Sequence, residues 1–125
     1  MRLHHVAIVC RSRKNADLFY QDLLGLTAVR DQTIGPALSQ EIFGKACECR
    51  IVLYGNADFA IEVFIPAEPS VEGSRFSHVC LTMADRAAFE AACEDAGITV
   101  RRIPRGNGYL TFVKDPDGNL FEIKG

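Results

Sequence analysis

No charge of one sign dominates this chain. Its 14 basic and 16 acidic residues leave a formal net charge of −2, which excludes the basic stripe of a nucleic-acid binder and a polybasic membrane patch. The basic residues are scattered, apart from the loose groups Arg11-Arg13-Lys14 and Arg101-Arg102-Arg105. There is no Cys-x-x-Cys pair, and the five cysteines are an odd number. A disulfide framework is therefore not expected, and a reducing cytoplasm is the expected setting. Cys10, Cys80 and Cys93 fall in apolar runs where a thiol packs as a small apolar group. Cys47 and Cys49 flank one residue and would share one face of a strand. No apolar stretch reaches the length of a membrane span, and Met1 leads straight into strand-forming sequence. Neither a signal peptide nor a membrane anchor is expected.

What is present is an apolar interior and a pattern written twice. At 125 residues and 48% hydrophobic content, the chain suits one compact domain with a buried core. The run Leu3-His4-His5-Val6-Ala7-Ile8-Val9 reads as a strand, with His5, Ala7 and Val9 on one face and Val6, Ile8 and Cys10 on the other. Ser12 is placed to cap a helix over 14–24, which Gly25 ends. A strand follows over 26–30. Residues 31–50, punctuated by Gly35-Pro36 and Gly44, read as an irregular, mobile segment. Strands are then expected over 50–54 and 59–65, joined by a turn at 55–58. The second half repeats the order: a strand over 76–83, an Asp85-capped helix over 86–96 ended by Gly97, and a strand over 98–103. A loop over 104–108 leads to strands over 109–113 and 120–124, joined by a tight turn at 115–119. The modules cover about 1–66 and 75–125, with a linker over 67–74. From His5 to Gly25 is 20 residues and from His78 to Gly97 is 19, so the halves read as a duplication.

Four polar residues sit at matching places in these apolar strands: His5 and Glu62 in the first half, His78 and Glu122 in the second. A carboxylate among apolar neighbours is costly unless paired. Two of them, each in the last strand of its half, call for one explanation, and a divalent cation supplies it. Imidazole nitrogen and carboxylate oxygen suit zinc, nickel, cobalt, manganese or ferrous iron. His4 competes with His5, but His5-Val6 aligns with His78-Val79.

Three segments, His5-Val6-Ala7-Ile8, Ala16 to Leu26 and Asp115 to Ile123, closely resemble the vicinal oxygen chelate superfamily. That group includes glyoxalase I, methylmalonyl-CoA epimerase, extradiol dioxygenases, and fosfomycin and bleomycin resistance proteins. The resemblance implies an α+β fold of two tandem βαβββ modules forming a cupped, eight-stranded, partly closed barrel. It implies one divalent metal ion held by His5, Glu62, His78 and Glu122. Two histidines with two glutamates look most like glyoxalase I and the epimerases, where a carboxylate takes a proton beside a metal-polarised carbonyl. Glu122 or Glu62 is then the catalytic base, acting on a small α-oxo or hydroxy substrate in a lyase or isomerase reaction. Arg101, Arg105, Phe64 and Phe112 are candidates for substrate contact. The arginine and asparagine that bind glutathione in bacterial glyoxalase I are replaced by Val9 and Pro66, which argues against that thiol. An extradiol-type dioxygenase or a non-catalytic binding or resistance protein are the alternatives. The resemblance also implies a homodimer, with no nucleic-acid or membrane partner.

Overall fold

A computed structural model describes residues 4–68 and 78–125. The chain divides into two compact units, Met1–Gly73 and Ser74–Gly125. The first three residues, most of the linker expected over 67–74 and the opening of the strand expected at 76 lie outside the described residues.

The first unit contains β1 (Val6–Val9), a helix that begins as α1 (Arg13–Ala16) and continues as a π-helical run (Asp17–Leu23), β2 (Thr27–Ile34), α2 (Pro36–Phe43), β3 (Cys49–Gly55) and β4 (Ala60–Pro66). Its four strands form one sheet in the order β1-β4-β3-β2. β1 runs parallel to β4, and the other pairs are antiparallel. Ser12 caps the helix, its side chain accepting from the Asn15 N–H at 3.1 Å. The widened turn shows where Leu24 N–H donates to the Phe19 carbonyl five residues back, at 3.0 Å. Gly25 takes the left-handed conformation at φ +69° that a side chain resists. The helix packs on one sheet face. Ile8, Cys10, Val52, Tyr54, Ile61 and Val63 are buried, as are Ala16, Phe19 and Tyr20 of the helix. Cys49, Ile51 and Leu53 on the opposite face of β3 are buried as well.

The second unit repeats the plan with β5 (Val79–Thr82), α3 (Arg86–Asp95), β6 (Val100–Arg105), β7 (Gly108–Lys114) and β8 (Leu120–Lys124). Its sheet order is β5-β8-β7-β6, again with the first strand parallel to the last. Asp85 caps α3 by accepting from Ala88 N–H at 2.9 Å, and Phe89 and Cys93 are buried. The eight strands thus form two four-stranded sheets, each built on a βαβββ plan.

Two segments differ from the sequence reading. Residues 31–50 are mostly regular: β2 runs on to Ile34, and α2 follows. Pro36 sits in the first turn, where its missing N–H costs nothing. Gly44 closes the helix at φ +70°. The glycines and proline taken as loop marks are helix punctuation. Likewise β6 continues through Pro104 and Arg105, and Arg105 pairs with Gly108 across a Gly106-Asn107 turn. An edge strand tolerates proline because one side of its backbone needs no partner. All five cysteines are free thiols, and only Cys80 is exposed. Among the described residues no helix is long and apolar enough to cross a membrane.

Candidate metal centre

Each unit brings its own histidine and glutamate together. In the first, Ala7 of β1 lies opposite Glu62 of β4. His5 precedes Ala7 by two residues, so alternation puts it on the same face. Its Nε2 stands 3.2 Å from Glu62 Oε2. In the second, Cys80 of β5 lies opposite Glu122 of β8. His78, again two residues earlier, places Nε2 3.4 Å from Glu122 Oε2. Both glutamates are largely shielded, with side chains 12% and 15% exposed.

These spacings fit the expected chemistry. Two donors bound at about 2.1 Å and at right angles around a first-row cation stand roughly 3 Å apart. The second nitrogen of His5 also has a partner, since its Nδ1 lies 2.8 Å from Nδ1 of His4. A proton on His5 Nδ1, donated to His4, leaves Nε2 as the lone-pair donor a metal needs. His4 is thus placed as a hydrogen-bond partner of His5.

The environments of the two glutamates differ. Arg30 donates from Nη2 to Glu62 Oε1 at 2.9 Å, so both oxygens of Glu62 are engaged. Sequence alternation alone puts Arg30 on the helix face with Ala28. A β-bulge between Ala28 and Arg30 shifts the register by one, leaving Val29 exposed and turning Arg30 onto the glutamate face. Asp31 then faces the helix and meets Arg13 and Arg50. Arg30 was missed because nothing in the local sequence marks the bulge; two successive charges, one for each face, are its only trace. Glu122 meets Lys124 Nζ at 3.7 Å through Oε1, and the His78 ring lies edge-on to Phe112 with centroids 6.1 Å apart.

The registers show that the duplication extends further. Arg30 pairs with Leu53, which pairs with Glu62. Arg101 pairs with Phe112, which pairs with Glu122. Arg101 is therefore the positional counterpart of Arg30. Along β6, Arg101 and Arg105 share the face that carries Glu122, whereas Arg102 faces α3 and holds Glu90 and Glu94. The three arginines grouped by sequence have two separate roles. Phe64, half-buried in β4, lies two residues beyond Glu62 on the same face, opposite Ile51.

A βαβββ unit is thus written twice, each with a histidine just before its first strand set against a glutamate of its last strand. The chain belongs to the Glyoxalase/Bleomycin resistance protein/Dioxygenase superfamily, whose family model matches residues 2–123. Solved structures similar to it include a glyoxalase family protein from Bacillus cereus, at 17% identity and TM-score 0.79, covering 98% of this chain and 92% of that one. The trypanothione-dependent glyoxalase I of Leishmania major is 18% identical with TM-score 0.74, covering 100% of this chain and 86% of that one. The fosfomycin resistance protein FosX of Listeria monocytogenes, solved with Mn(II) and sulfate, is 14% identical with TM-score 0.73, covering 99% of this chain and 89% of that one. At these identities the likeness is one of fold. No curated protein matches the chain significantly.

Proposed function

We propose that this chain is a divalent-metal-dependent enzyme of the glyoxalase I type. His5, Glu62, His78 and Glu122 are its metal ligands, and its reaction is proton transfer beside a carbonyl of a small α-oxo or hydroxy substrate. The observation that carries the reading is the paired geometry: a histidine Nε2 just before the first strand within 3.2 and 3.4 Å of a last-strand Oε2, once in each unit. When bound, a first-row cation supplies Lewis acidity to the carbonyl oxygen. The residues divide the remaining work. Glu62, engaged by His5 and Arg30, is the fixed ligand. Among the described residues Glu122 has only the ammonium of Lys124 near Oε1, so that oxygen takes the proton from the substrate carbon and returns it to the neighbouring position. The same reading takes the protein as a cytoplasmic homodimer.

Arg30 also supports a second reading. If Glu62 stays with the guanidinium, the ligand set is His5, His78 and Glu122. Two histidines and one carboxylate suit a fosfomycin-resistance or dioxygenase site. Metal analysis of purified variants separates the two. On the first reading, Glu62→Gln loses most of its metal, and Glu122→Gln abolishes turnover of a methylglyoxal–thiol adduct with the fold intact. Full metal content in Glu62→Gln with oxygen uptake on catechols supports the second. Normal turnover in Glu122→Gln removes that residue from the mechanism.

A further inference from the structure

The second unit contains a cavity of about 240 Å³ whose lining includes Arg101, Phe112, Lys114, Asp115 and Leu120. It lies beside the His78–Glu122 pair, because Phe112 forms part of its wall and also packs against the His78 ring. Its size is below the roughly 300–1,000 Å³ of pockets that hold whole drug-sized ligands, so it suits one end of a small molecule. Two cations face it. The counterpart of Arg101 in the first unit, Arg30, is bonded to Glu62. Arg101 is separated from Glu122 by Phe112, and among the described residues no carboxylate lies within ion-pairing distance of Arg101 or Lys114. The one acid in the lining is already engaged. Asp115 Oδ1 accepts from the N–H groups of Asp117 and Asn119 at 3.0 and 2.8 Å, and Oδ2 from Asn119 Nδ2 at 2.8 Å.

We propose that this cavity is the subsite for an oxyanion carried on a short apolar chain, a carboxylate or a phosphonate. Arg101 supplies the planar fork that grips two oxygens and Lys114 a point charge, while Phe112 and Leu120 cover the apolar segment. This deepens the proposed function by naming the substrate class, and it rests on that reading only for the position of the reacting carbon. The duplication has then diverged: one arginine fixes a metal ligand, and its counterpart selects the substrate.

The test uses the full chain stripped of metal, so that binding here is read apart from metal chemistry. Amide NMR shifts are followed on titration with phenylphosphonate, phenylacetate and benzyl alcohol. At least one acid shifts the amides of Arg101, Phe112 and Lys114 saturably, and the neutral alcohol binds at least tenfold more weakly. Arg101→Gln weakens the acid about tenfold, and Lys114→Gln, a second exposed substitution, weakens it in the same direction. The better acid distinguishes carboxylate from phosphonate. Equal binding of the alcohol, or unchanged acid binding in both variants, overturns the proposal. Either result leaves the metal tests above untouched, and their failure leaves this one standing.

Discussion

Tyr54 donates its hydroxyl to Asp17 Oδ1 at 2.7 Å, and Arg13 Nε donates to the same oxygen at 2.7 Å. Arg50 donates to Asp31 Oδ1 from Nε at 2.8 Å. These side chains tie the helix of the first unit to its sheet, and they titrate at opposite ends of the pH scale. Burial works against the Asp17 carboxylate, but the Tyr54 and Arg13 hydrogen bonds outweigh it and lower its pKa. The Arg50 hydrogen bond lowers that of Asp31. Both contributions to stability are therefore present above the unfolded value of about 3.9 and are lost as pH falls through the folded values. Burial first, and then the Asp17 hydrogen bond, raises the Tyr54 phenol. Its contribution is complete below the unfolded value of about 10 and is lost as pH rises beyond it. Urea midpoints should fall on both sides of neutral pH, and the thiols of Cys49 and Cys93, also raised by burial, add to the alkaline fall from about 8.5 upward. Asp31→Asn should flatten the acid limb and Tyr54→Phe the alkaline one. An alkaline limb unchanged by Tyr54→Phe would show that the phenol does not control it.

At the scale of the element, β6 tests whether strand parity assigns roles. Arg101 and Arg102 are adjacent and chemically identical, yet one faces the cavity and the other α3. Glu90 is buried with its side chain 6% exposed. It accepts from Arg102 Nε at 2.8 Å and from Thr111 Oγ1 at 3.0 Å. Arg102→Ala removes the guanidinium from Glu90 Oε2, leaving Thr111 and, at 3.5 Å, Arg86 on Oε1, and should cost about 2 kcal/mol in urea unfolding. Arg101→Ala should stay within about 0.5 kcal/mol; the reverse order would contradict the register. The same parity explains what was legible in the sequence. Alternation grouped His5 with Ala7 and Glu62 with Phe64, each within its own strand; the parallel pairing of β1 with β4, and of β5 with β8 in the repeat, is what joins those faces. The caps Ser12 and Asp85 and the closing Gly25 and Gly97 marked both helices. Parity is lost where a residue is inserted, so the bulge at Val29 hid Arg30. Glycine and proline mark helix ends and edge strands as readily as loops, which hid α2 and the last third of β6.

At the scale of the whole molecule, the two units each carry their own sheet, helix core and histidine–glutamate pair. On the proposed reading one cation draws ligands from both, so its binding free energy stabilises the entire chain and not one half. A ligand that binds only the folded protein adds about 2.7 kcal/mol at a free concentration one hundred times its dissociation constant. Thermal unfolding with added zinc or manganese should therefore move to higher temperature as a single transition. His5→Gln and His78→Gln, in separate units, should each abolish that shift while melting close to the parent without metal. The two histidines are partly exposed, at 34% and 41% of the side chain, so neither substitution opens a core cavity. A double-mutant comparison makes the point quantitative. One shared ion predicts that the double variant loses no more of the metal response than either single one. Two independent ions predict that each single variant keeps about half of the response and only the double variant loses it all.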